Sequence, residues 1–184
     1  MSGVGAVAVA PEARGRGAAL TLMRRALEEL HERGIALSAL YPATQTLYRK
    51  AGYEQAGARF AVSVQPYLIG LRDRGLLLRP YVEADRAAIG AVYEDYASRF
   101  SGALDRSPFL WHRVFFNREI PARGFVVEEN GGITGYVFRT QDPVSPAGFD
   151  IHLTDMAALT PGAGRRILTF LADHGSMAHL IRWF

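Results

Sequence analysis

The hydrophobic pattern at the start of the chain predicts a strand, a glycine turn and a helix, followed by a second strand. Gly5 to Ala10 is short and apolar on both faces, which is typical of a buried strand, although a buried helix segment has the same pattern. Between Gly17 and Arg33, apolar residues recur every three or four positions and predict an amphipathic helix, with Gly34 as its left-handed cap. Residues 35–41 then predict a strand parallel to the first.

The next segment predicts a short helix and further strand structure. Pro42 ends the second strand, because proline cannot donate to a sheet ladder. Thr44 to Ala51 has room for two helical turns, and Gly52 breaks them. Tyr53 to Leu68 alternates loosely between apolar and polar residues, as strands do.

From residue 71 a charged connector introduces a second series of elements. The pattern predicts a strand over Leu76 to Arg79, helices over Ala84 to Tyr96 and Pro108 to Arg118, a hairpin over Gly124 to Thr140, a strand over Phe149 to Leu159, a helix from Thr160 to about His174, and a last strand, HLIRWF. Asn130 and Gly131 supply the positive backbone angles of the hairpin turn, while Thr160 and Pro161 supply the helix cap and first position.

Composition indicates a globular, cytoplasmic protein. The 184 residues are 49% hydrophobic and contain no cysteine, which excludes disulfides and thiolate zinc sites, and no signal or membrane segment is visible. The net charge is +3, but the arginines are scattered, so we expect neither a nucleic-acid nor a membrane partner. His174 and His179 lie five positions apart, which does not place them on one helix face, so we expect no metal.

The segment VAVAPEARGRGAAL is the strongest chemical signal. A strand entering a glycine turn and a helix directs backbone N–H groups and the helix dipole at one point, which attracts phosphate. Gly15 and Gly17 allow close approach, and Arg14 and Arg16 can add charge. The same residues could also form only a flexible, solvated helix entry. A P-loop and a dinucleotide fingerprint both require different residues after Gly17.

The pattern Arg-x-x-Gly-x-Ala, from Arg14 to Ala19, resembles the acetyl-CoA loop of the GCN5-related N-acetyltransferase (GNAT) superfamily. TLYRKAGYEQAG, from Thr46 to Gly57, is similar to a later helix and strand of that superfamily. AVAVAP and ALYPA narrow the resemblance to the enhanced-intracellular-survival (Eis-like) acetyltransferases. The resemblance is specific over residues 4–60 and weaker over residues 76–184.

This resemblance implies an α/β fold with a GNAT-type mixed sheet and flanking helices. Residues 1–70 would be the C-terminal half of one GNAT unit, with its acetyl-CoA loop. Residues 71–184 would be the N-terminal part of a second unit without a cofactor loop, since LTPGAGRRIL lacks the motif. The chain is therefore expected to be a fragment. An alternative is a permuted single domain, in which strands from residues 76–184 complete the sheet begun at residue 4.

The resemblance also implies roles for individual residues. The proposed cofactor-binding residues are Val7 and Val9, whose backbones would pair with pantetheine, and Arg14, Gly15, Arg16, Gly17 and Ala18, whose N–H groups would hold the pyrophosphate. Tyr48 stands at the position of the general acid that protonates the departing thiolate, although packing of the short helix is an alternative role. No general base is identified.

The implied function is an acetyl-CoA-dependent N-acetyltransferase that acts on a primary amine, either aminoglycoside-like or lysine-like. The alternative is a non-catalytic CoA-binding or regulatory remnant that lacks a complete active site. The first strand would have no neighbour on its outer edge, and exposed edges invite pairing with another chain. We therefore expect a homo-oligomer.

Overall fold

In the computed structural model, which describes every residue from Met1 to Phe184, the chain divides into two units, Met1–Ala58 and Arg59–Phe184. The sequence pattern placed this boundary between residues 70 and 71. The difference arises because the strand Val62–Val64 pairs antiparallel with the last strand of the chain. Residues 59–70 therefore belong to the second unit.

The first unit consists of two strands and two helices. They are β1 (Ser2–Val4), α1 (Ala18–Glu32), β2 (Ser38–Leu40) and α2 (Gln45–Lys50). β1 and β2 pair in parallel, with Ser2 opposite Ser38. The order of strand, helix, parallel strand and short helix agrees with the prediction, although the first strand is Ser2–Val4 and not the predicted segment.

The predicted strand over Gly5 to Ala10 is wrong. Pairing stops at Val4, and Ala6 adopts a left-handed φ of 56°, which a strand cannot accommodate. Residues 5–10 form no strand and lead into a 3₁₀ turn, Pro11–Ala13. The predicted strand structure over Tyr53 to Leu68 is also mostly wrong, because only Val62–Val64 is a strand.

The helix boundaries in the first unit follow local sequence signals. Met23 is fully buried in α1, and Leu20, Leu27 and Leu30 on the same apolar face are partly buried, so the amphipathic pattern is confirmed. Gly34 follows the end of α1 with φ +70° and Gly52 follows α2 with φ +103°, as predicted. No helix in the chain combines the length and hydropathy that a membrane crossing requires.

The second unit is built on a six-stranded sheet. Its elements are β3 (Val62–Val64), β4 (Leu77–Pro80), α3 (Arg86–Ser98), α4 (Pro108–Phe115), β5 (Phe116–Asn117), β6 (Ile120–Pro121), β7 (Arg123–Glu129), β8 (Gly132–Ser145), β9 (Gly148–Ala158), α5 (Pro161–Ala172) and β10 (Ala178–Trp183). The strand order is β3-β10-β9-β8-β7-β4, and β9 and β10 form its one parallel pair. The predicted elements after residue 76 are confirmed, although α4 ends at Phe115 because Phe116 begins β5.

Helices cover both faces of this sheet. Val127 and Val137 pack with α5 on one face, whereas the adjacent residues Val126 and Phe138 pack with α3 and α4 on the other. The central strands β7 and β8 therefore bury apolar side chains on both faces of the sheet. The β7–β8 turn has positive φ at Asn130 (53°) and Gly131 (81°), which confirms the predicted hairpin.

Close packing across this sheet predicts a large effect at Gly124. A Cβ atom there would lie 2.3 Å from Phe138 Cε1 and 2.8 Å from Tyr81 Cβ. We expect Gly124→Ala to lower the free energy of unfolding by about 1–3 kcal/mol, because the rings must shift. Gly90→Ala, in α3 with open space at Cβ, is the control and should be neutral or stabilising. Urea unfolding measures both, and equal stability of the two variants would contradict this packing.

A buried carboxylate predicts a loss of stability in acid. Asp85 is 8% exposed and accepts hydrogen bonds from Arg79 at 2.7 and 2.9 Å and from the Val82 N–H at 2.9 Å. Arg79 lowers the pKa of Asp85, opposed by burial and helped by the Val82 N–H. This stabilisation is present above the unfolded pKa of about 3.9 and is lost as the pH falls through the lower folded pKa.

The prediction is that Asp85→Asn removes part of the acid-induced fall in unfolding free energy between about pH 5 and pH 2. The control is Asp105→Asn, because Asp105 is exposed and makes no ion pair. Urea titrations across this pH range provide the measurement. An identical pH dependence in wild type and Asp85→Asn would disprove the coupling.

Candidate functional site

The loop before α1 takes its shape from two left-handed glycines. Gly15 has φ +76° and Gly17 has φ +80°, a backbone region in which other residues are strained. A Cβ atom at either position would meet nothing within 4 Å. Glycine is therefore required here by backbone conformation and not by crowding. Gly17 is the N-cap of α1, and no side chain caps that helix.

This conformation leaves a run of main-chain donors unpaired. The first helical hydrogen bond of α1 runs from the Thr21 N–H to the Gly17 carbonyl at 3.1 Å. The N–H groups of residues 15–20 donate no hydrogen bond within the chain. The N–H of Arg14 differs, because it donates to the Pro11 carbonyl at 3.3 Å. The helix dipole adds its positive end to these donors, so the loop favours an anion.

The two arginines of the loop are exposed and have no carboxylate partner. Arg14 Nε donates to the Val9 carbonyl at 3.4 Å, which joins the loop to the segment before Pro11. Arg16 makes no hydrogen bond or ion pair within the chain. Their positive charge is therefore not neutralised within the first unit, and it adds to that of the helix terminus.

The predicted cofactor residues Val7 and Val9 lie on an unpaired stretch of backbone. β1 and β2 pair only as far as Val4 and Leu40, and the left-handed Ala6 follows immediately. The main-chain groups of Val7 and the N–H of Val9 make no hydrogen bond within the chain. Free N–H and C=O groups on such a stretch can pair with an extended ligand as a strand would.

Tyr48 lies on α2, which packs against α1. Its side chain is 9% exposed and meets the Tyr53 ring edge-on, with 6.3 Å between ring centroids. The Tyr48 hydroxyl makes no hydrogen bond within the chain. The Tyr48 carbonyl accepts from the Tyr53 N–H at 3.0 Å, which ties the two tyrosines together through the backbone as well.

Two contacts around Tyr48 were not predicted from the sequence. The hydroxyl groups of Tyr53 and Ser38 hydrogen-bond at 2.7 Å, which connects the segment after α2 to β2. Arg49 Nη2 lies 2.6 Å from Glu54 Oε1 across the Gly52 turn, and the Gln55 N–H and Arg49 lower the pKa of Glu54. Residue spacing gives no signal for the first contact, because only the fold brings β2 beside Tyr53.

The strand-to-helix junction of the second unit is built differently. β9 leads almost directly into α5, where Thr160 Oγ1 accepts a hydrogen bond from the Ala163 N–H at 3.1 Å. The same hydroxyl donates to Glu129 Oε2 at 2.7 Å, so a carboxylate lies beside this helix terminus. Neither Gly162 nor Gly164 has a positive φ. A negative charge and a filled cap both disfavour an anion here.

Two segments of the chain match known families that are both described as acetyltransferase (GNAT) domain, namely residues 1–56 and residues 102–184. The chain therefore carries GNAT acetyltransferase domains. The first GNAT match includes the complete glycine loop and Tyr48. The second begins before α4 and runs to the last residue.

Solved structures support the GNAT assignment. A GCN5-related N-acetyltransferase from Anabaena variabilis is 34% identical, with a TM-score of 0.89 over 98% of this chain and 47% of that chain. A probable N-acyltransferase from Enterococcus faecalis (23% identical, TM-score 0.79, 98% and 46% covered) and Eis1 from Mycobacterium abscessus (22%, 0.66, 98% and 47%) share the fold. The chain thus has the mixed α/β GNAT fold that the sequence resemblance implied.

Curated relatives of this GNAT chain are N-acetyltransferases without a stated acceptor. An uncharacterized N-acetyltransferase of Streptomyces coelicolor is 28% identical over 187 residues, which cover 94% of this chain and 45% of that protein. Another, from Streptomyces avermitilis, is 28% identical over 200 residues, with 97% and 47% covered. The chain spans about half the length of these relatives.

Proposed function

We propose that the unit Met1–Ala58 binds acetyl-CoA and transfers its acetyl group to a primary amine. The observation that carries this proposal is the run of unpaired N–H groups over residues 15–20, where Gly15 and Gly17 expose the start of α1. Such a terminus suits a pyrophosphate, because several donors and the helix dipole act on the same charge. The GNAT matches supply the chemical context.

Three parts of the first unit would each bind a different portion of the cofactor. The N–H groups of Gly15, Arg16, Gly17 and Ala18 would hold the pyrophosphate. Arg14 would contribute its guanidinium, because its own N–H is occupied by the Pro11 carbonyl. The free backbone around Val7 and Val9 would pair with the pantetheine arm, with its two amide groups, and so extend toward the thioester.

The proposed reaction is a direct acetyl transfer. A neutral amine attacks the acetyl carbonyl, so that a C–N bond forms and the C–S bond breaks. The thiolate takes a proton from the Tyr48 hydroxyl, and the nitrogen releases a proton to a base or to water. Burial of the Tyr48 ring also supports a packing role, and the two roles are compatible.

The acceptor is proposed at the level of chemical class. An aminoglycoside-like or lysine-like primary amine follows from the resemblance of the sequence to Eis-like enzymes. We further propose that the unit Arg59–Phe184 is a second GNAT-like unit without a cofactor loop, in line with the Thr160 cap and Glu129 at α5. A cytoplasmic location and a homo-oligomer paired through a β1 or β2 edge complete the proposal.

The loop proposal predicts an affinity change at Gly17. Gly17→Ala forces a side chain into the left-handed region, which costs about 1–2 kcal/mol and should weaken CoA binding about tenfold by calorimetry. Gly57→Ala is the control, since Gly57 is exposed, has no positive φ and has open space at Cβ. Wild-type affinity in Gly17→Ala would refute a role for the loop, and so would a failure of wild type to bind CoA.

The acid proposal predicts a rate change without an affinity change. Tyr48→Phe keeps the buried ring but removes the hydroxyl, so acetyl-CoA should bind normally while thiol release falls about 10²–10⁴-fold. Tyr41→Phe, at a 78% exposed position, is the control. Thiol release is followed with a panel of aminoglycosides and lysine peptides. An unchanged rate in Tyr48→Phe would leave only the packing role.

The same assay tests the alternative function. A CoA-binding remnant without a complete active site would bind the cofactor in wild type but release no thiol with any amine of the panel. In that case the binding proposal would stand and the transferase proposal would fall.

A further inference from the structure

Arg139, in β8 of the second unit, is a buried cation without an anionic partner. The residue is 6% exposed, and its Nε and Nη1 atoms are shielded from solvent without making a hydrogen bond. Its Nη2 atom contacts His174 Nε2 at 3.2 Å. His174 Nδ1 lies 2.8 Å from the Phe170 carbonyl, so it donates there and Nε2 accepts from Arg139. Histidine therefore orients the guanidinium without neutralising it.

The surroundings of Arg139 carry positive charge and aromatic surface. Its guanidinium carbon lies 5.8 Å from the Phe125 ring centroid and 6.0 Å from that of Phe170. Directly across the β7–β8 pair stands Arg123, which is exposed and makes no ion pair. Two cations thus face the same side of the sheet beyond the end of α5, with no carboxylate within ion-pair distance of either.

Two other arginines of this unit that are sheltered from solvent are neutralised by carboxylates. Arg106 pairs with Asp155 through two hydrogen bonds, at 2.5 and 2.9 Å, and Arg79 pairs with both Asp85 and Glu128. Arg139 has no such partner, and burial together with Arg123 lowers its pKa. A buried, unpaired charge is among the most costly features of a folded protein. An anion bound at this position would remove that cost.

We propose that Arg139 and Arg123 form a binding site for a carboxylate in the second unit. The free Nε–H and Nη1–H groups of Arg139 supply charge-assisted donors, and Arg123 supplies a second cation on the solvent side. The rings of Phe125 and Phe170 make the surroundings apolar, which favours a singly charged ion over a doubly charged one. A carboxylate meets this requirement better than a phosphate, whose second charge is more costly to desolvate. This site is separate from the glycine loop and does not depend on acetyl transfer.

The test measures the thermal midpoint of the whole chain while chloride is replaced by acetate, or by phosphate, at constant ionic strength. Ligand that binds only the native state raises the midpoint, so wild type should show a saturable rise with acetate. Arg123→Gln should require about tenfold more acetate, because one charged contact is lost. Arg139→Met should lose the response and be at least as stable as wild type in chloride, because it removes the unpaired charge.

Arg72→Gln is the matched control, since it removes an exposed arginine without an ion pair and should respond to acetate as wild type does. If Arg139→Met does not fold, Arg123→Gln against Arg72→Gln still decides the question. The proposal is overturned if acetate acts no differently from chloride in wild type, or if Arg123→Gln and Arg72→Gln respond alike. A larger rise with phosphate than with acetate would overturn the choice of a carboxylate.

Discussion

The start of an α-helix leaves its first N–H groups without hydrogen-bond partners. In the first unit, the proposed anion site depends on whether other groups of the chain satisfy them. In α1, the left-handed Gly15 and Gly17 turn the chain so that neither a side chain nor the preceding backbone satisfies them. Burial of Met23 holds the helix in place behind them. The proposed cofactor site is therefore a preorganised set of donors, whose unmet hydrogen bonds a pyrophosphate would satisfy.

In the second unit, the helix α5 also follows a strand, but its first N–H groups have the opposite fate. At α5, Thr160 satisfies a donor of the first turn, and Glu129 brings a carboxylate to the cap hydroxyl. A few residues account for the difference between the two helix starts. Before α1 there are two left-handed glycines flanked by arginines, whereas α5 has a threonine, a proline and a nearby glutamate. A similar fold therefore places an open anion-attracting terminus in one unit and a closed, capped terminus in the next.

The features that could be predicted from the sequence are those with a local physical cause. The helix ends at Gly34 and Gly52, the Asn130–Gly131 turn and the Thr160 cap each depend on a few adjacent residues, and all were predicted correctly.

The predictions that were wrong concern features that depend on distant residues or that have no signal in the local sequence. The strand over Gly5 to Ala10 was wrong because alanine at position 6 gives no warning of a left-handed backbone. Val62–Val64 is a strand of the second unit because β10 pairs with it from far along the chain. In the candidate site, the loop followed from its motif, whereas the Ser38–Tyr53 hydrogen bond and the unpaired Arg139 depend on neighbours that only the fold supplies.

Amide chemical shifts of the first unit, recorded while the chain is titrated with CoA or with pantetheine, test the central claim most directly. Pantetheine lacks the pyrophosphate but keeps the amides of the arm. The account predicts large shifts at residues 15–20 with CoA but not with pantetheine. Around Val7 and Val9 it predicts shifts with both ligands. Equal shifts at residues 15–20 with both ligands, or none with CoA, would contradict it.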